Sequence, residues 1–270
     1  MALLALAVDA GLAPIAVHVD HGLRDDSEGE AERVRALATA LGARFHAARI
    51  SVAAGPNLEA RARDARYAAL EAARLELEVE VVLVGHTADD QAETVLLNVL
   101  RGAAASGLAG MAARHGAVVR PLLELRRTDT HGLCAALALD VLVDPMNADR
   151  AFRRVAIRHD VLPYLSALAE RDLVPVLARQ AEILRADSEY LDVLATRAWP
   201  GPDGPRAADL AALPAPLARR AVRRWIGAPP PSAAEVERVL AVARGAARAT
   251  ELAGGRGVRR SAGLLVLTVG

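Results

Sequence analysis

The chain has 270 residues, with 33 arginines balanced by 33 acids and no lysine. Apolar residues make up 53% but aromatics only 3%, which describes a globular chain with an Ala/Leu/Val core and excludes a disordered one. No apolar run reaches the roughly 18 residues of a membrane span, and the single cysteine, Cys134, excludes a disulfide framework or a cysteine-cage metal site. Without lysine, Schiff-base chemistry and a Walker-type phosphate loop are also excluded.

From Pro14 to about Pro145, short β-type runs alternate with helical periodicity. Residues 2–8 read as a helix that Gly11 can end, and PIAVHV is the first strand. A helix then spans Ser27 to about Leu41, with Ser27 and Glu30 placed as a capping box and Gly42 as its stop. RFHAARI predicts a second strand, and Asn57 caps a helix to about Leu77. VEVVLVGH predicts a third strand, whose near-continuous Val/Leu run suits burial on both faces of a parallel sheet. A helix over about Ala88–Arg101, a glycine-rich loop, VVRPLL, a helix near 128–138 and VLV complete the pattern. Such alternation predicts an α/β fold, doubly wound around a mostly parallel sheet.

Beyond Asp144 helical patterns dominate, near 152–168, 173–198, 216–226 and 232–244, broken by PGPDGP and PPP. The tail, ATELAGGRGVRRSAGLLVLTV, reads as short strands around glycine-rich turns. The expected division lies near 165, with a first domain over 1–165 and a mainly helical second domain over 166–270. Residues 1–150 carry 15 arginines against 21 acids, whereas residues 151–270 carry 18 against 12. A basic second half suits an anionic partner.

In an open α/β sheet, ligands bind beyond the carboxyl ends of the strands. VDHGLR (19–24) follows the first strand, and GHTADDQAET (85–94) follows the third and runs into a helix. There His86 and Asp90 are four apart and Asp90 and Glu93 three apart, so their side chains share one helix face. Carboxylates so placed can hold Mg2+ or an ammonium group, or act as a base. The alternative for Asp89 and Asp90 is to complement the helix dipole. Arg61, Arg63 and Arg66 of NLEARARDARY form either a solvated charge run or an anion-binding face. His18, Asp20 and His21 lack a further ligand at zinc spacing, and Asp129 and His131 lack a serine at nucleophile-elbow spacing.

Taken in order, VDHGLR, NLEARARDARYAAL, GHTADDQAETVLLNVLRG, GLAGM, RPLL, DPMNADRAF and IRHDVLP resemble the tRNA(Ile)-lysidine synthetase family of PP-loop ATP pyrophosphatases. The likeness is collinear from residue 1 to about 165, and HxxDDQAET is its most specific string. It implies an adenine nucleotide alpha hydrolase-like fold, here without its first strand, followed by a mainly helical tRNA-binding domain that ends in short strands. It also implies the reaction. ATP, with Mg2+, adenylates the C2 carbonyl oxygen of cytidine 34 in the CAU anticodon of tRNA(Ile), and free L-lysine then displaces AMP to give lysidine. On this likeness Asp90 and Glu93 are the catalytic, lysine-binding acids, and His21, Arg66, Gly85 and His86 line the ATP site. Arg63, Arg154 and Arg158 lie along tRNA phosphates, contacts that position an RNA without reading it. The implied setting is cytoplasmic with no membrane partner, and a homodimer is left open.

Two departures from the family pattern stand out. FxRNRIRH appears here as FRRVAIRH (Phe152–His159), with Val155 and Ala156 in place of Asn and Arg, which leaves one tRNA or structural contact unfilled. The SGGxDS loop, which in the family wraps the ATP phosphates and supplies an aspartate for Mg2+, would precede the first helix, and neither GLAGM nor ELAGGRG can replace it. The expectation is a native polypeptide that extends upstream of Met1, with weak or absent ATP binding by residues 1–270 alone. Three other readings compete: a non-catalytic tRNA-binding relative, another PP-loop tRNA-modifying enzyme, and an α/β domain with no nucleotide role. The lone Cys134 disfavours a thiolase among the second, and the motif order disfavours the third.

Overall fold

Helix α1 (Ala2–Asp9) buries its alanines and leads through Gly11, at φ +76°, into strand β1 (Ile15–Asp20). The computed structural model describes residues 1–20, 27–51, 55, 58–141, 150, 152–199 and 206–268. Helix α2 (Ser27–Ala40) carries the chain back to β2 (Arg44–Arg49), which pairs with β1 in parallel from Ile15–Arg44 to Asp20–Arg49. This is the βαβ crossover that the alternation predicts. Helix α3 (Leu58–Glu76) packs with α2 on this pair. The side chain of Ser27, Asn57 and residues 142–143 of VLV, all assigned roles from the sequence, lie outside the described residues.

Strand β3 (Val82–Leu83) runs parallel to β5 (Val118–Val119), and β4 (Arg114–His115) turns back antiparallel on β5. The paired part of VEVVLVGH is thus two residues long, because β3 has a ladder partner on one side only among the described strands. Its other side faces a mainly apolar cavity of about 540 Å3 that separates it from β1. Leu3 and Leu4 of α1, Ile15 and Val17 of β1, Leu70 of α3 and Val82 line this space, together with Arg66 and Gly85. The α/β architecture with parallel strand pairs matches the sequence expectation, as two short sheets flanking a gap.

Helix α4 (Ala88–Leu100) follows β3, then the short α5 (Ala105–Leu108), β4, β5 and α6 (Arg127–Ala136). A continuous helical stretch then runs from α7 (Arg153–Ala156) through one π-helical turn (Ile157–Val161) into α8 (Leu162–Leu168), and α9 (Val174–Ala198) follows. Ala88 and Ala92 of α4 form a cluster with Leu162 and Val174, joined by Leu173, Leu177 and Ala178. This packing holds residues 162–178 to the first of two compact units, Met1–Arg185 and Ala186–Gly270. The division therefore falls within α9, later in the chain than position 165.

The second unit contains α10 (Ala207–Ala212), α11 (Ala215–Ile226), α12 (Ala233–Ala243) and an antiparallel sheet. Its strands are β6 (Ala249–Glu251), β7 (Gly257–Ser261) and β8 (Leu264–Thr268). Val222, Val239, Leu240, Val258 and Leu265 form its core, flanked by Trp199 and Trp225 packed edge to face. Glu235 closes a capping box with Ser232 and also accepts from the Ala253 N–H at 2.6 Å, which ties α12 to the turn before β7. No described helix is long and apolar enough to cross a membrane.

Candidate active site

Helix α4 begins at the carboxyl end of β3, where Thr87 is its N-cap. The Asp90 carboxylate accepts from the Thr87 N–H at 2.8 Å and the Thr87 hydroxyl at 2.9 Å, which fixes the first turn. One turn further on, Glu93 is fully buried, at 0% exposure. An ionised carboxylate tolerates such burial only when its lone pairs are filled by cationic donors. Three arginines fill them. Arg154 Nε donates at 2.9 Å, Arg158 donates through Nε at 2.7 Å and Nη2 at 3.2 Å, and Arg127 Nη2 donates at 2.8 Å. Arg154 and Arg158 are four residues apart, and the π-helical turn starting at Ile157 carries Arg158.

Arg127 Nη2 also reaches Asp90 Oδ1 at 3.2 Å, so this one nitrogen bridges the two carboxylates. Asp89 holds the start of α6 in place by accepting from the Arg127 N–H at 2.7 Å and from Arg126 Nε and Nη2 at 3.2 and 3.1 Å. Asp172 takes a further bond from Arg126. Burial raises the pKa of Asp89, but the Arg126 bonds and the Arg127 N–H outweigh it and hold the carboxyl below its usual range. For Asp90, burial again raises the pKa, and the Thr87 N–H with Arg127 and Arg154 outweighs it. Asp90 and Glu93 with Arg127, Arg154 and Arg158 leave a local excess of one positive charge.

His86 stands beside this cluster. Burial lowers its pKa to about 4; Asp90 opposes the shift, while Arg154, Arg120 and Arg66 reinforce it. The imidazole is therefore neutral at pH 7. Its Nδ1 accepts from Arg120 Nε at 3.3 Å, which leaves the proton on Nε2. Arg120 also donates to the Ala112 carbonyl at 2.8 Å and so links His86 to the GLAGM segment.

That segment is held from several sides. The buried Gln91 side chain accepts from the Met111 N–H at 2.7 Å and donates to the Met111 carbonyl at 2.9 Å. Asn98 donates to the Gly107 carbonyl at 2.7 Å, and Arg185 donates to the carbonyls of Ala109 and Met111. Gly110 has φ +59°, and a Cβ there would lie 2.6 Å from Gln91 Oε1. Gly110→Ala is expected to destabilise the first unit by about 2 kcal/mol, from the left-handed backbone and the displaced amide together. Urea unfolding measures this, and a cost under about 0.5 kcal/mol would show that the segment repacks freely.

The structure thus gathers Arg66, His86, Asp90, Glu93, Arg154 and Arg158 at the carboxyl end of β3. Gly85, two residues past the end of that strand, lines the cavity with Arg66. Arg63 lies apart from the arginine cluster on α3, its guanidinium 5.5 Å above the Tyr67 ring. His21 lies outside the described residues. Val155, at the position where the family pattern has Asn, is buried, 7% exposed. Among the described residues, no group of three His, Cys, Asp or Glu side chains is placed to hold a metal ion.

Sequence reading passed over Arg120, Arg126 and Arg127. A signal for the last pair exists. Two arginines at the start of a helix oppose its dipole, so they need carboxylates from elsewhere in the fold. Asp89, Asp90 and Glu93 are those carboxylates.

The chain is similar to known proteins over most of its length. The PP-loop domain family matches residues 1–165, and the TilS substrate binding domain matches residues 206–266. A tRNA(Ile)-lysidine synthase of Mycolicibacterium paratuberculosis is 47% identical, covering 82% of this chain and 69% of its own. One from Streptomyces coelicolor is 40% identical over 94% of this chain and 76% of its own. Among solved structures, the U34-tRNA thiolase NcsA from Methanococcus maripaludis with its [4Fe-4S] cluster superposes with a TM-score of 0.55 at 16% identity. It covers 68% of this chain and 69% of that one, a likeness of fold. With identities of 40% and more over most of its length, the chain belongs to the tRNA(Ile)-lysidine synthase family.

Proposed function

We propose that this protein uses ATP to join lysine to cytidine 34 of a tRNA(Ile) with a CAU anticodon, forming lysidine. Beside the family relationship, the observation that carries this reading is the convergence on one strand end of an acid pair, a neutral histidine and at least five arginines. In the first step the C2 carbonyl oxygen of cytidine attacks the α-phosphorus of ATP, and pyrophosphate leaves. In the second, the ε-amine of lysine attacks C2, the C2–O bond breaks, AMP leaves and the amine loses a proton.

The residues present fit a polyanionic nucleotide. Arg66, Arg120 and Arg154 surround His86 with positive charge, which favours phosphate oxygens and the departing pyrophosphate. Neutral His86 can donate from Nε2 without adding charge. Asp90 and Glu93 hold the lysine ε-ammonium, while Arg154 and Arg158, anchored on Glu93, orient that pocket and meet RNA phosphate from their exposed sides. Magnesium enters this reading as the companion of the ATP phosphates. Asp89, Asp90 and Glu93 do not supply it a ligand set, since each is bonded to guanidinium groups.

The test is release of AMP, expected only when L-lysine and a CAU-anticodon tRNA are both present, whereas pyrophosphate release needs only ATP and that tRNA. AMP release with ATP and tRNA alone, or release of either product with ATP and lysine alone, would overturn the reading. Within the pocket, Asp90→Asn and Glu93→Gln are each expected to raise the KM for lysine at least about tenfold more than that for ATP. Equal changes in both constants would remove the two acids from the lysine site.

A further inference from the structure

The three arginines on Glu93 are not held alike. Arg154 is fixed by Nε on Glu93 and by Nη2 on the Asp90 carbonyl and the Thr94 hydroxyl, both at 3.1 Å. Arg158 grips Glu93 through two nitrogens. Arg127, in contrast, makes both of its side-chain contacts through Nη2, at 2.8 Å from Glu93 Oε1 and 3.2 Å from Asp90 Oδ1. A single positively charged nitrogen centred between two carboxylates is the geometry an ammonium group adopts. Arg127 also comes from a different element, the first residue of α6, whereas both acids stand on α4.

We propose that Arg127 Nη2 occupies the place of the substrate ε-ammonium, so that lysine binds by displacing this side chain. The inference rests on the reading of Asp90 and Glu93 as the lysine pocket. It assigns Arg127 as a residue that sets specificity for the amine. Without substrate the buried Glu93 and the part-buried Asp90 share this cation. A ligand that brings its own positive charge keeps a cation bridging the two carboxylates. A neutral or anionic side chain would leave that bridge empty, with Glu93 on Arg154 and Arg158 and Asp90 on Arg158 at 3.7 Å. Arg154 and Arg158 stay in place and keep Glu93 paired during the exchange. The backbone N–H of Arg127 stays bonded to Asp89, so the displacement is a side-chain rotation that leaves α6 anchored.

Equilibrium binding of L-lysine to the whole protein, measured by calorimetry, tests this independently of turnover. Arg127→Gln removes the competing cation and is expected to tighten lysine binding about tenfold, a gain of about 1.4 kcal/mol. Millimolar guanidinium chloride, far below denaturing concentration, is expected to compete with lysine in Arg127→Gln and to have little effect in the parent protein. Arg127→Lys, which keeps a tethered cation, is expected to bind lysine no more tightly than the parent, and it serves as the reference if the glutamine variant fails to fold. Lysine affinity that is unchanged or weaker in Arg127→Gln, or tighter in Arg127→Lys, would overturn the assignment of Arg127. Asp90→Asn separates the two levels. Lost lysine binding in that variant upholds the pocket whatever Arg127 does, while unchanged binding removes the pocket and the inference with it.

Discussion

Glu93→Ala is expected to destabilise the first unit by about 3–5 kcal/mol, the range for stripping one partner from a buried ion cluster. In a unit of this size that corresponds to a fall in Tm of about 10 °C. Glu93 is fully buried and takes four hydrogen bonds from three guanidinium groups carried on α6 and the α7–α8 stretch. Without the carboxylate, Arg127, Arg154 and Arg158 repel one another at the same spot. The helices that bring them together then lose their common anchor. Glu93→Gln keeps an oxygen acceptor and is expected to cost less. The arginines are each 22–25% exposed, so water offers them a partial alternative. A measured loss below about 1 kcal/mol would mean that they turn outward on release and that Glu93 is not the anchor.

The second large effect is set by pH. His86 has a folded-state pKa of about 4, below its ordinary value of 6.5, because burial and three nearby arginines disfavour its cation. The unfolded chain therefore binds the proton more readily between these two values. Stability from this residue is fully present above pH 6.5 and declines as pH falls toward 4. The shift corresponds to about 3 kcal/mol over that window, an order-of-magnitude figure. Urea unfolding between pH 7.5 and 4.5 is expected to show this decline in the parent protein and a shallower one in His86→Asn. Parallel pH profiles would place the histidine in a more hydrated setting than the structure shows.

Much of the site was legible in the sequence because its spacing is local. Asp90 and Glu93 lie on one face of α4, three residues apart, and His86 stands just ahead of the Thr87 cap, so local chain geometry brings the three close without help from the rest of the chain. Asp89 showed the limit of that reasoning. Viewed on its own it completes a helix dipole, yet in the fold it clasps Arg126 and the Arg127 N–H, more than thirty residues away. Arg154 and Arg158 were identified, but as surface contacts for RNA, and their bonds to Glu93 run across sixty residues of chain. Periodicity carries no information about such pairs, because which arginine meets which acid depends on how helices cross.

The sequence by itself determined the family, the α/β alternation, the order of the helices and the strand end at which polar groups collect. These follow from hydrophobic period, turn residues and collinear motifs, which are properties of short segments. Only the tertiary structure decided that β1 and β3 flank an apolar cavity, that residues 162–178 pack against α4, and that one buried carboxylate draws three arginines together. The physical reason is the same in each case. Burial is a property of the assembled fold, and once Glu93 is excluded from water its charge must be met by whichever cations the packing brings within reach.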